Sequence, residues 1–184
     1  GDQERAAVLA RQRTRLEARL AHARGQIHLI DHLLTDGWET TMTTDDSGEA
    51  TLDHRRLGVD LFNGTWELMS QESRTADDDD LMVHMAHASA YHWRQAGTAV
   101  NWARSHWLCS RVYAVLRRGE PSLVHAQRVL DLCAEHGIAD WDLAFGHEAV
   151  ARAHAVSGDA EAARAATEVA LAAAEAIADP DDRA

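Results

Sequence analysis

Residues 149–174 read AVARAHAVSGDAEAARAATEVALAAA, a run of helix-favouring residues interrupted once, at Ser157, Gly158 and Asp159. Alanine, leucine, glutamate and arginine favour a helix on both sides of the interruption, whereas glycine between polar residues favours a turn. The stretch therefore predicts two helices joined by a very short connection. Because the connection is short, the two helices should run antiparallel and pack against each other.

The same alternation of apolar segments and short breaks extends back to about residue 51. Glycines mark four of the breaks, at Gly97, Gly119, Gly137 and Gly158, and the only prolines are Pro121 and Pro180. Glycine commonly ends a helix, and proline is tolerated in a first helical turn. The pattern predicts an all-α fold with helices over residues 52–72, 77–96, 98–118, 120–136, 139–157 and 159–178.

Small residues recur at matching places in the last two predicted hairpins. They are Ala114, Gly119 and Ala126 in the first of these hairpins, and Ala151, Gly158, Ala163 and Ala170 in the second. Small side chains at such places let paired helices approach closely. The spacing resembles that of tetratricopeptide repeats over residues 99–178, and over 52–97 the resemblance rests only on length and phase. It implies a six-helix tetratricopeptide-like domain over residues 51–184.

The N-terminal region carries a different pattern. In RLEARLAHARGQIHLIDHLL, residues 15–34, apolar residues recur at alternating spacings of three and four, as in a coiled-coil seam. The pattern predicts a helix over residues 1–37 that forms a homodimer, followed by a polar linker over 38–50. The alternative is a long amphipathic helix packed on its own domain. The dimerisation residues would be Leu9, Leu16, Leu20, Ile27, Ile30 and Leu34.

The charge of the chain is strongly negative and unevenly distributed. The 184 residues carry a formal net charge of −12, yet residues 1–37 hold six arginines against five acidic residues. The rest of the chain is therefore acidic enough to repel nucleic-acid phosphates and anionic membrane surfaces. No apolar run approaches the roughly 20 residues of a membrane span. Cys109 and Cys133 are the only cysteines, which suits free thiols in a cytoplasmic protein.

Residues 6–37, AAVLARQRTRLEARLAHARGQIHLIDHLLTDG, resemble the dimerisation helix of MerR-family transcription regulators. The resemblance rests on the leucine- and arginine-rich stretch, the Ile30-Asp31 pair near its end and the Met42-Thr43 junction that follows. It implies an effector-sensing domain after the helix, and DNA binding only through a winged helix-turn-helix that this chain lacks. We therefore expect Gly1 to mark the start of a fragment. Metal sensing is disfavoured, since residues 1–37 contain no cysteine.

Residues 84–113, HMAHASAYHWRQAGTAVNWARSHWLCSRVY, are unusually rich in aromatic, histidine and arginine side chains. Helical spacing places two stripes of these residues on helix faces, and a further aromatic stripe follows in helix 139–157. Aromatic walls with a few polar groups are typical of small-molecule sites. The alternative is that the tryptophans are core residues and the charges are solvated. The candidate ligand-binding residues are His84, His87, Tyr91, Asn101, Arg104, Trp107, Arg111, Trp141 and Phe145.

Other kinds of chemistry have weaker support in the sequence. Two pairs of residues have the spacing of metal ligands on a helix: His84 with His87, and His106 with Cys109. The sequence shows no further ligands that would complete a four-coordinate site with either pair. No nucleophile elbow, phosphate loop or zincin motif is present. His147 and Glu148 could act as acid and base only inside a cleft. We therefore expect no enzyme activity, catalytic residue, metal or cofactor.

These observations converge on one functional hypothesis and one alternative. The hypothesis is the ligand-sensing and dimerisation domain of a MerR-like regulator, which binds an amphipathic small molecule, such as an antibiotic, in a helical groove. The alternative is a tetratricopeptide-like scaffold that binds a peptide or protein partner on the same groove.

Overall fold

A computed structural model of the chain describes residues 52–177, and all the regular secondary structure in this range is α-helical. This confirms the predicted all-α fold for the described residues. The six helices there are α1 (His54–Met69), α2 (Ala76–Ala96), α3 (Ala99–Val115), α4 (Gly119–His136), α5 (Trp141–Val156) and α6 (Ala160–Glu175). The predicted dimerisation helix and linker lie outside the described residues.

Local chemistry explains where the helices begin and end. The Thr75 hydroxyl accepts a hydrogen bond from the Asp78 backbone N–H, while the Asp78 carboxylate accepts one from the Thr75 N–H, which together cap α2. Gly137 ends α4 with a φ of +66°, a conformation that glycine adopts without strain. Helix α5 starts two residues later than predicted, because Asp140 has a φ of +63° and cannot belong to a right-handed helix.

The helices pack in sequence order as three hairpins, α1 with α2, α3 with α4 and α5 with α6. Successive hairpins also contact each other through α2–α3 and α4–α5. The first helices of the hairpins form their own contacts, α1 with α3 and α3 with α5. Helix α3 therefore has neighbours on two sides, with α1 and α5 along one and α2 and α4 along the other.

The core is centred on α3, which has ten buried residues, whereas α6 has none. Large apolar side chains fill the space between neighbouring helices, among them Phe62, Met82, Trp93, Leu108 and Leu132, each at most 2% exposed. No helix within residues 52–177 has the length and apolar character needed to cross a membrane. The two sides of α3 carry different polar side chains.

Candidate ligand-binding site

The first helices of the second and third hairpins, α3 and α5, meet around a buried ion pair. Arg104 of α3 donates two hydrogen bonds to Asp142 of α5, with distances of 3.0 Å from Nε to Oδ1 and 3.1 Å from Nη2 to Oδ2. The guanidinium carbon lies 4.3 Å from the ring centroid of Trp141. Bidentate geometry and an aromatic face hold the Arg104 side chain in one orientation. The pair fixes α5 against α3 at one end of the site.

Next to this pair, aromatic rings from α1, α3 and α5 form a continuous row. Trp107 of α3 lies in the middle, with its centroid 6.0 Å from that of Trp66 of α1 and 5.8 Å from that of Phe145 of α5. Trp141 continues the row, 5.7 Å from Phe145. Trp107 is only 4% exposed, while Trp66 and Phe145 are half-buried. The row therefore offers apolar surface between partly accessible edges.

Two arginines and one glutamate lie against the aromatic row. Arg152 donates from Nη1 to both carboxylate oxygens of Glu148, one turn earlier on α5, and its guanidinium carbon lies 5.8 Å from the Trp107 centroid. Burial, together with the charge of Arg152, lowers the pKa of Arg111 to about 10. Burial also lowers the pKa of Arg152. At neutral pH two positive charges thus face a single carboxylate.

Several donors in this region have no acceptor. We call Trp66, Trp107, Arg111, Phe145, Glu148 and Arg152 the aromatic–arginine cluster. Within residues 52–177, every buried side-chain nitrogen or oxygen that lacks a hydrogen-bond partner belongs to it: Trp66 Nε1, Trp107 Nε1, Arg111 Nε, Arg152 Nε and Arg152 Nη2. Native proteins bury few unpaired polar atoms, because each one costs about 1–3 kcal/mol. The grouping of five such unpaired nitrogens in one cluster distinguishes this side of α3 from the rest of residues 52–177.

The structure divides the nine residues singled out in the sequence. Arg104, Trp107, Arg111, Trp141 and Phe145 come together on the α3–α5 face. Asn101 lies at the start of α3, where its Oδ1 accepts hydrogen bonds from the N–H and the hydroxyl of Thr98, so this oxygen is used in capping the helix. His84 and Tyr91 are exposed on α2, and Tyr91 packs edge-on against His54 and His92.

His87 belongs to a second group of side chains on the opposite side of α3. We call this group the histidine cluster: His87 of α2, His106, Cys109 and Tyr113 of α3, and His125 of α4. A hydrogen bond of 2.9 Å joins His87 Nε2 to Tyr113 Oη, and another of 2.9 Å joins the Nδ1 atoms of His106 and His125. The rings of Tyr113 and His125 stack with centroids 5.7 Å apart.

Burial disfavours the charged forms of the paired histidines and of the thiol in this cluster. Burial, and to a lesser degree the positive charge of Arg128, lowers the pKa of His106 to about 4. Burial and the neighbouring His106 lower the pKa of His125 to about 4 as well. Burial raises the pKa of the Cys109 thiol to about 12. A cavity of 620 Å³ reaches His106 and His125 from the α4–α5 side.

Sequence reasoning missed Trp66, Arg152 and His125 as members of these clusters. Arg152 lies seven residues after Phe145, a spacing that places both on one face of α5, so its position was available from the helical period. Trp66 and His125 come from helices whose placement depends on how the hairpins stack, which spacing within one helix does not determine. Comparison with protein-family models, curated proteins and solved structures finds no match to this chain.

Proposed function

We propose that this chain is the ligand-sensing and dimerisation domain of a MerR-like transcription regulator, and that its ligand is an amphipathic small molecule bound at the aromatic–arginine cluster. The apolar part of the ligand would pack on Trp66, Trp107 and Phe145. An acceptor group, such as a carboxylate or phenolate, would face Arg111 and Arg152. The unpaired donors of this cluster carry the proposal, because they are the groups that a ligand acceptor would satisfy.

The energetics favour an anionic or acceptor-rich ligand over a purely apolar one. An unpaired buried donor costs about 1–3 kcal/mol, and a hydrogen bond to a charged group contributes about 1.5–3 kcal/mol. Glu148 neutralises only one of the two arginines, so a second negative charge would balance the cluster. A ligand carboxylate would therefore gain hydrogen bonds and also reduce the repulsion between Arg111 and Arg152.

Such a site can supply a binding free energy of the size that a molecular switch needs. Almost complete conversion between two states requires about 5.5 kcal/mol of differential binding. Burial of roughly 200 Å² of apolar ligand surface at about 25 cal/mol per Å² supplies about 5 kcal/mol. Because the cluster draws residues from α1, α3 and α5, a ligand there would bias how the three hairpins stack. We propose that this change is passed to the dimer helix and from there to a DNA-reading domain.

The remaining parts of the proposal rest on the sequence resemblances. The hairpin stacking, in which α3 contacts both α1 and α5, supports the tetratricopeptide-like interpretation. The seam from Leu9 to Leu34 supports a homodimer, and the acidity of the chain supports DNA contact through a separate reader domain rather than through these helices. The proposed location is the cytoplasm, where such a regulator would meet both its effector and DNA.

The test uses 8-anilinonaphthalene-1-sulfonate, an aromatic anion, as a probe, followed by a thermal-shift screen of amphipathic natural-product antibiotics. We expect one saturable site per chain, with affinity reduced at least tenfold by Trp107→Ala and by Arg111→Met. Arg128→Met, which removes a partly exposed arginine from α4, is the matched control and should bind as the original chain does. Equal binding by all three variants would remove this cluster from the site. A peptide ligand that binds tightly where small anions do not would favour the scaffold alternative.

A further inference from the structure

The histidine cluster brings together side chains that the proposed ligand site does not use. One nitrogen from each of His87 and His125 and the sulfur of Cys109 lie within 4.8 Å of one another. These residues come from α2, α4 and α3, so the chain folds three helices together to assemble them. Sequence spacing suggested His84 with His87 and His106 with Cys109 as separate pairs, and the fold instead supplies partners from different helices.

We propose that His87, Cys109 and His125 form a binding site for a zinc-class transition-metal ion, with His106 or a water molecule available as the fourth ligand. This site is independent of the aromatic–arginine cluster, which lies on the other side of α3. If no metal binds at this site, the proposed small-molecule function is unaffected. If that function is wrong, the metal site is likewise unaffected.

The separation of the three ligand atoms is close to what tetrahedral coordination needs. With zinc–nitrogen and zinc–sulfur bonds of about 2.0–2.1 and 2.3 Å, adjacent ligand atoms lie roughly 3.3–3.6 Å apart. The atoms lie at most 4.8 Å apart and therefore have to close by no more than about 1.5 Å, which side-chain rotations can supply. The His106 Nδ1 atom lies 2.9 Å from the His125 Nδ1 atom, so His106 is a direct neighbour of one of the three ligands.

The ligand types select the class of metal. Two imidazoles and a thiolate suit zinc and its neighbours, whereas magnesium and calcium prefer oxygen ligands. Each imidazole would bind the ion through a neutral ring nitrogen. When the ion binds, the Cys109 S–H bond breaks, a metal–sulfur bond forms and the proton passes to solvent. The thiolate also offsets part of the charge of the dication.

Cys109 is only 1% exposed, so a metal–sulfur bond at this position would be shielded from water. Arg94 of α2 and Arg128 of α4 lie near the cluster, and Asp131 of α4 lines the same cavity as His106 and His125.

The ion can reach the site from two directions. His87 is exposed, and the 620 Å³ cavity opens onto His106 and His125 from the other side. Once bound, the ion would join α2, α3 and α4, since each helix contributes a ligand. A ligand that binds only the folded chain stabilises it in proportion to its affinity and concentration. Metal binding should therefore raise the melting temperature.

The test is a Co²⁺ titration of the metal-stripped 184-residue chain, with any affinity tag removed, read by absorption spectroscopy. We expect one Co²⁺ per chain, tetrahedral d–d bands and a thiolate-to-cobalt charge-transfer band, all displaced by Zn²⁺. Cys109→Ser should abolish the charge-transfer band. His87→Ala, which changes an exposed residue and so keeps the fold, should weaken Zn²⁺ binding at least about 100-fold, more than loss of a ligand's hydrogen-bonding partner typically does.

Two matched controls separate this site from chance binding by a chain with twelve histidines. Cys133→Ser changes the other buried thiol, and His84→Ala changes the nearest exposed histidine of α2. Both should keep the charge-transfer band, the affinity and the Zn²⁺-induced rise in melting temperature. The proposal is overturned if the original chain shows no thiolate band, if Cys109→Ser retains it, or if His87→Ala and His84→Ala weaken binding equally.

Discussion

Arg104 and Asp142 form a bidentate ion pair that ties α3 to α5, with side chains that are only 8% and 11% exposed. Each charge stabilises the other in a place that water hardly reaches, and the Trp141 ring covers the guanidinium. Such a pair holds two helices at a defined distance, because neither charge can remain buried alone at low cost. The geometry of the aromatic row beyond Trp141 depends on this fixed distance.

Asp142→Asn should therefore destabilise the chain strongly. The substitution keeps the shape of the side chain but leaves the Arg104 charge buried without a counter-ion, so we expect the free energy of unfolding to fall by about 3–5 kcal/mol. Urea denaturation followed by circular dichroism measures this change. A double-mutant cycle with Arg104→Met should recover a large part of the loss, because the second change removes the uncompensated charge.

The matched control is the exposed ion pair between Arg56 and Asp60, in which Nε and Oδ2 are 3.5 Å apart and both side chains are more than half exposed. Asp60→Asn should change the free energy of unfolding by no more than about 0.5 kcal/mol, because solvent screens such a pair. If the Asp142 and Asp60 variants lose the same stability, the buried pair does not tie α3 to α5 as described.

Arg111→Met should stabilise the ligand-free chain. Arg111 buries an unpaired Nε and a charge next to Arg152, and methionine fills a similar volume without either cost. We expect the free energy of unfolding to rise by about 1 kcal/mol while binding of the sulfonate probe falls. Such a trade between stability and activity is typical of binding sites. Loss of stability together with unchanged probe binding would mark Arg111 as a structural residue instead.

The helices could be predicted from the sequence because their ends depend on local chemistry. Thr75 and Asp78 cap α2, and Gly137 ends α4, and all three lie at the ends of the helices they delimit. The stripe Arg104, Trp107 and Arg111 follows from the helical period alone, as does its partner stripe on α5. The largest errors, of three residues, are at the ends of α1, α3 and α6. The start of α5 is misplaced by two residues, because the left-handed backbone of Asp140 has no signal as clear as a glycine.

The clusters themselves could be predicted only in part. The helical period places His87 and Tyr91 on one face of α2, but their partners differ: His87 meets Tyr113 of α3, while Tyr91 meets His54 of α1. Which helix covers which part of a face is decided by hairpin stacking, a long-range property of the core. His125 illustrates the same limit, since nothing within α4 indicates that its ring stacks on Tyr113.

Thr75→Ala should destabilise the chain by about 1 kcal/mol, because it removes the side-chain oxygen that caps the α2 backbone. Thr75→Ser retains that oxygen and should lose little. Ser73→Ala changes an exposed residue of the same loop and serves as the control. Chemical denaturation of the three variants makes the comparison, and equal stability of Thr75→Ala and Thr75→Ser would show that the observed cap contributes nothing.

The paired histidines of α3 and α4 should make the stability of the chain sensitive to acid. The pKa of both His106 and His125 falls to about 4 in the folded chain, from about 6.5 when unfolded, so the unfolded chain binds more protons between these values. Their contribution is fully present above pH 6.5 and is lost as the pH falls towards 4. After allowance for solvent screening we expect the free energy of unfolding to fall by about 1–3 kcal/mol.

Urea denaturation between pH 4 and 7.5, with EDTA present, measures this change. The free energy of unfolding should depend less on pH for His125→Asn than for the original chain. The exposed His136 provides the control, and an identical profile for His125→Asn and His136→Asn would show that the buried pair is not the source of the acid sensitivity.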